Sequence, residues 1–126
     1  MSISLMSALR GAAGPIHHRE ENIWEQSFCF ESDFVGFAGH FPQKPVLPAA
    51  VQIAMIRLLW QESVGTIDAL EVLSAKYMSP ILPHERILVR LSLVSSHKGK
   101  AEFFIRDEER LRLVSAVQVK PLQLEV

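Results

Sequence analysis

The stretch whose reading decides the fold runs from Gly39 to Trp60 and reads GHFPQKPVLPAAVQIAMIRLLW. It sets one imidazole, His40, in a segment stiffened by Pro42, Pro45 and Pro48, and then continues without proline or glycine until Gly65. Proline fixes φ and lacks a backbone N–H, so it is accommodated just ahead of a helix and disfavoured within one. Pro48 therefore predicts a helix start. From Ala49 to about Glu62 the residues are helix formers or apolar, with only Gln52, Arg57 and Gln61 polar before Glu62. Such a helix needs protein cover over most of its circumference. The reading is a rigid loop feeding a buried central helix.

Working outward, Ser4 to Leu9 reads as a short amphipathic helix ended by Gly11 and Gly14-Pro15, with a loop following through His17 and His18. In Ile23 to Phe30, residues Trp24, Gln26, Phe28 and Phe30 alternate with Ile23, Glu25, Ser27 and Cys29, the period of a strand. Phe34 to Gly39 supplies aromatics and two glycines for a close turn that presents His40. Beyond the central helix, Ala69 to Met78 is extended and Pro80 with Pro83 forms a corner. Ile87 to Leu93 and Ala101 to Arg106 alternate as half-buried strands, a charged turn follows at Asp107 to Arg110, and Leu111 to Val119 is the last long strand. This order predicts an α+β fold in which an antiparallel sheet wraps one helix. The expectation is one domain over residues 1–126, with an N-terminal helix and loop over 1–21.

Composition narrows the function classes. With 13 Lys and Arg against 14 Asp and Glu, the net charge of −1 gives nucleic acid no bulk electrostatic hold. Cys29 is the only cysteine, which excludes an intrachain disulfide and a cysteine-based zinc site and fits a reducing, cytoplasmic setting. His17 and His18 have no carboxylate or thiolate at ligand spacing, so no metal or cofactor is expected. The apolar residues near the N-terminus fall short of the roughly 18 that a membrane span needs.

The string His40-Phe41-Pro42, Pro45-Val46 and Pro48 leading into an apolar helix resembles the active-site segment of the hotdog-fold 3-hydroxyacyl-acyl carrier protein dehydratases. Ala75-Lys76-Tyr77 followed by Ser79-Pro80-Ile81-Leu82-Pro83 looks like the strand and turn that those enzymes carry after the helix. Pro48 to Ile53 is similar to a dehydratase-like branch associated with aryl polyene and related lipid pathways. The resemblance implies a hotdog fold and a homodimer or larger oligomer of dimers. In that dimer, strand 22–30 or the strand after Gly65 would pair across the two-fold. It also implies a carrier-protein or coenzyme A thioester as substrate and His40 as the group that removes the α-proton.

One departure bears on the chemistry. The family places an Asp or Glu on the helix fourteen residues after the histidine, where this chain has Ala54, and no carboxylate occurs from Gly36 to Gln61. Ala49 also stands where the family usually has glycine. Backbone N–H groups at Ala49 and Ala50 are candidates to polarise a thioester carbonyl. Phe41, Pro48, Gln52, Tyr77 and Met78 are the candidate tunnel lining, Gln52 being able to orient a hydroxyl but not to titrate. Lys44, Arg57, Lys76 and Arg86 are considered as a basic rim for an acidic carrier. The sequence supports a dehydratase of fatty acid or related lipid or polyene synthesis. The alternatives are a weak or inactive acyl-thioester binding subunit partnered with an active homologue, and a thioesterase drawing a carboxylate from Glu31 or Asp33.

Overall fold

A computed structural model describes residues 4–37 and 45–123. In chain order it contains α1 (Leu5–Ala12), β1 (Ala13–Glu20), β2 (Ile23–Cys29), a 3-10 turn (Val35–Phe37), α2 (Ala49–Ser63), β3 (Ala69–Tyr77), β4 (Arg86–Ser95), β5 (Lys98–Asp107) and β6 (Arg110–Leu122). The six strands form one antiparallel sheet in the order β1-β2-β4-β5-β6-β3. Consecutive strands joined by short turns lie side by side, whereas β3 crosses to the far edge. This is the hotdog arrangement.

Helix α2 starts where the prolines require it. Pro48 is its N-cap, with φ −64° and ψ 153°, and offers no side-chain cap. Met55, Ile56, Leu58 and Leu59 are fully buried and Trp60 nearly so, each contributing about 1.5–3 kcal/mol by leaving water. They pack on inward residues of the central strands, including Val89, Leu91, Phe103, Val117 and Val119. Gly99 on β5 is essential to this contact, because a Cβ there would lie 2.6 Å from the Trp60 ring. A stripe of α2 at Ala50, Ile53, Ala54, Arg57 and Gln61 stays exposed or half-buried. Arg57 and Gln61 on this stripe donate to the carbonyls of Asp68 and Ile67, just ahead of β3.

The N-terminal segment differs from its expected form. Residues 13–20 are a strand, not a loop, and the helix before it continues through Gly11 to Ala12. Gly14-Pro15 forms a bulge between the Ala13↔Phe28 and Ile16↔Gln26 pairs, held by Gln26 Nε2 donating to Gly14 O at 3.1 Å. Proline is compatible with a strand only at an edge or bulge, and β1 is both. His18 stacks on Trp24 with ring centroids 4.7 Å apart. The residues that read as a polar loop are the exposed face of an edge strand. Strand β1 also encloses β2, so 22–30 is interior to the sheet and is not available for pairing across a two-fold. Of the two strands considered for that role, only β3 lies at an edge.

On the face of the sheet away from α2, Glu25 is buried to 7 % exposure between two arginines. Arg19 Nε donates to one carboxylate oxygen at 2.8 Å and Arg90 Nε to the other at 2.7 Å, so β1, β2 and β4 are linked through a single carboxylate. Arg90 in turn lies 4.9 Å from the centre of the Phe104 ring. Burial alone would raise the Glu25 pKa, but the hydrogen bonds and charges of Arg90 and Arg19 outweigh it and the pKa is lowered. A carboxylate with a depressed native pKa stabilises the fold above its unfolded pKa, and the contribution is lost as pH falls through the native value. Glu25→Gln should therefore destabilise the protein by about 1–3 kcal/mol at neutral pH and by progressively less in acid. Thermal melts of both proteins from neutral pH down to pH 3 should converge. A constant offset would contradict this account.

Candidate active site

The two sequence blocks that suggested a site are joined by backbone. Leu47 N–H, in the proline segment, donates to Ile81 C=O at 2.8 Å, in the corner after β3. Met78 and Ser79 N–H both donate to Val114 C=O, at 2.8 and 3.3 Å, which holds the end of β3 on β6. Between the start of α2 and the end of β3 lies an open pocket of about 350 Å³, with walls that include Val46, Pro48, Ala49, Gln52, Tyr77 and Met78. Four of the expected lining residues thus meet: Pro48, Gln52, Tyr77 and Met78. Phe41 and His40 lie outside the described residues.

The polar groups of this pocket are few. The N–H groups of Val51 and Gln52 already donate to Pro48 C=O, at 3.1 and 3.2 Å. Ala49 and Ala50 are the first residues of the helix, exposed and without a side-chain cap. Their N–H groups are among those a helix cannot satisfy internally, and they carry the positive end of its dipole. Gln52 is only 4 % exposed, and its Oε1 is buried with no hydrogen-bond partner. Tyr77 is the one titratable side chain in the pocket wall among the described residues. Partial burial raises its pKa above the usual phenol value, so its O–H is intact at neutral pH. Ser115, paired with Tyr77 across β3 and β6, is fully buried with an unpartnered Oγ.

Ala54 lies half-buried on the open stripe of α2 and is not part of this wall. It lies two positions after Gln52, about 200° around the helix, so the two point to different sides. A carboxylate at position 54 would therefore face out of this pocket, toward whatever covers the stripe. Glu31 and Asp33, the nearest acids in sequence, do not line the pocket either. Glu31 is exposed and pairs with His84 at 3.1 Å, and Asp33 is exposed in the turn after β2. Arg57, Lys76 and Arg86 are not gathered at the pocket, and Arg86 opens into a separate groove beside Cys29. Lys44 lies outside the described residues. Among the described residues no cluster of His, Cys, Asp and Glu could hold a metal ion, and no helix is long and apolar enough to cross a membrane.

Two features escaped the sequence reading. The bond from Leu47 to Ile81 is a backbone contact with no side-chain signature. The sequence reading gave Gln52 as tunnel lining, but its near-complete burial and its amide oxygen left without a donor follow from packing alone.

Residues 16–117 match the family described as "ApeI-like: ApeI dehydratase". The 3-hydroxyacyl-[acyl-carrier-protein] dehydratase FabZ of Bartonella henselae is 24% identical over 99 residues, 71% of this chain and 63% of that protein. The chain thus spans less than two thirds of that relative's length. Among solved structures, the dehydratase heterocomplex ApeI:P from Xenorhabdus doucetiae aligns with TM-score 0.65 and 18% identity, over 86% of this chain and 97% of the other. A dehydratase domain of the polyketide PpsC from Mycobacterium tuberculosis aligns with TM-score 0.73 and 13% identity, over 94% of this chain and 45% of that one. At such identities these structures establish the fold, and it is the family match, which takes in the helix start and the whole of the pocket wall, that carries the assignment: the chain belongs to the ApeI-like dehydratase family of hotdog proteins.

Proposed function

We propose that the protein eliminates water from 3-hydroxyacyl thioesters, carried on an acyl carrier protein or coenzyme A, in fatty acid or related lipid or polyene synthesis. The single observation that carries the reading is the pocket at the start of α2, where unsatisfied helix N–H groups stand beside a mostly apolar wall. A thioester carbonyl seated there would accept from Ala49 and Ala50 N–H as enolate charge develops on its oxygen. His40 is the proposed base for the α-proton, since imidazole titrates near neutrality and the flanking prolines restrict the loop that bears it. Phe41, Pro48, Tyr77 and Met78 are the proposed walls for the acyl chain.

The active assembly is proposed to be a dimer. Strand β3 bonds only to β6, and its residues from Glu71 to Tyr77 are all exposed, Val72 and Leu73 among them at 43 and 45 %. An open edge of this kind is a template for pairing with a second chain. Arg57 and Gln61 of the open α2 stripe bond to Asp68 and Ile67 just ahead of this strand, so a second copy pairing here is proposed to cover Ala54 and close the pocket. A second reading, in which the chain is a weakly active binding subunit within a hetero-oligomer, is favoured by Ala54, because the family's acid is absent.

Purified protein incubated with 3-hydroxyacyl and saturated acyl thioesters should yield enoyl product and no free thiol. Free thiol from the saturated substrate would indicate a thioesterase, and binding without turnover the second reading. His40→Ala should abolish elimination and leave the circular dichroism spectrum unchanged. In the second reading, where no residue supplies the acid, Ala54→Glu facing a partner's pocket should raise enoyl hydration by up to about 10²–10⁴-fold, the worth of a positioned acid, at some cost in thermal stability; a folded dimeric variant without gain would mean that the acid comes from another residue.

Light scattering should report a dimer at micromolar concentration, and Leu73→Asp should shift it toward monomer with loss of activity. A wild-type monomer would remove the shared site.

A further inference from the structure

A dehydration needs two proton carriers, and Ala54 removes the one that protonates the departing oxygen in the related enzymes. The pocket itself holds a substitute. Tyr77 is its only titratable side chain among the described residues, and none of them takes up the Tyr77 hydroxyl in a hydrogen bond. Gln52 forms part of the same wall, nine-tenths buried, with an amide oxygen that no donor reaches. A buried amide oxygen left without a donor weakens the fold. It becomes intelligible as half of a binding site. An alcohol donates one hydrogen and accepts another, so it complements two residues of one pocket wall, an amide whose oxygen has no donor and a hydroxyl that no described residue takes up.

We propose that Tyr77 supplies the proton that Ala54 cannot, giving it to the 3-hydroxyl of a bound acyl thioester while the Gln52 amide, turning its oxygen toward the cavity, accepts that hydroxyl's own hydrogen. The assignment rests on the dehydratase reading above and names the acid for it. The proton on C2 passes to the base, and the C2–H electron pair becomes the C2=C3 double bond. The C3–O bond breaks with its electrons on oxygen, which takes the Tyr77 proton and leaves as water. Net transfer of the base's proton to the tyrosinate, directly or through water, restores both groups, so the cycle consumes no further reagent. Gln52 does not titrate. It is a positioning residue that distinguishes a 3-hydroxyacyl chain from a saturated one, as a site with an unpaired polar group disfavours an analogue unable to satisfy it.

Two reactions separate the acid from the rest of the machinery. Exchange of the C2 protons of a saturated acyl thioester with deuterium needs the base and the helix N–H groups but no leaving group. Elimination from the 3-hydroxyacyl thioester also needs the acid. Wild type should do both. Tyr77→Phe, which keeps the ring, should lose elimination by about 10²–10⁴-fold while exchange persists. Gln52→Leu should raise KM for the 3-hydroxyacyl thioester about tenfold or more and raise the melting temperature, since it deletes an unpaired buried oxygen. Elimination by Tyr77→Phe at the wild-type rate overturns the assignment, as does loss of exchange together with elimination in that variant. A wild type that exchanges C2 protons without eliminating water also overturns it, leaving the base reading intact. A wild type that does neither removes both.

Discussion

Helix α2 carries apolar side chains around more of its circumference than one sheet can cover, and the rest of the structure follows from that constraint. A sheet curved around one side buries Met55, Ile56, Leu58, Leu59 and Trp60, and α1 adds Leu9 to the same core. The chain ties the two helices by an Arg10–Glu62 pair at 3.3 Å, both side chains well exposed. That contact contributes little by itself, because exposed pairs are worth about 0–1 kcal/mol; the packing beneath it holds α1 in place. What remains open is the stripe from Ala50 to Gln61, and its Arg57 and Gln61 bond to Asp68 and Ile67, just ahead of the β3 edge with its exposed Val72 and Leu73.

Strength and incompleteness are thus distributed unevenly over the molecule. The β1 edge is protected: its polar residues, the Gly14-Pro15 bulge and the Arg19–Glu25 pair make it a poor template for another chain. The β3 edge has an irregularity of its own between Val72 and Ser74, but there it exposes the apolar side chains of Val72 and Leu73 rather than charged ones. The pocket opens at the end of this same edge, where Tyr77 and Met78 are as exposed as Val72. A chain that joins its neighbour through β3 would complete the helix cover and the pocket wall in one step.

The pocket's chemistry derives from how its walls are anchored. Backbone bonds from Leu47 to Ile81 and from Met78 and Ser79 to Val114 fix both sides without using side chains. The side chains that face inward, Gln52 and Tyr77, are left with unspent hydrogen-bonding capacity. On the opposite face of the sheet the economy is reversed, with Glu25 satisfied twice over by Arg19 and Arg90. A buried polar group with every partner in place holds strands together, and one without a partner in a pocket wall is free to meet a ligand.

Periodicity and proline placement were enough to read β2 to β6, the start of α2 at Pro48 and the α+β class, because alternation and the missing proline N–H act through neighbouring residues. The motif around His40 and the block at Ala75 to Pro83 likewise pointed to the family, and the resemblance, by implying an acid fourteen residues after His40, made its absence at Ala54 evident. Strand β1 was not legible. Its glycine, proline and adjacent histidines have loop propensity, and only the partner strand β2 supplies the hydrogen bonds that make it a strand. The same is true of which edge is free: order within a sheet is a property of long-range pairing, so β2 lies inside and β3 outside for reasons that no local pattern encodes. How completely Gln52 is buried, and that Glu31 and Asp33 stand away from the pocket, were also settled by packing, since a helix presents every residue to some side and only its surroundings decide which side is buried.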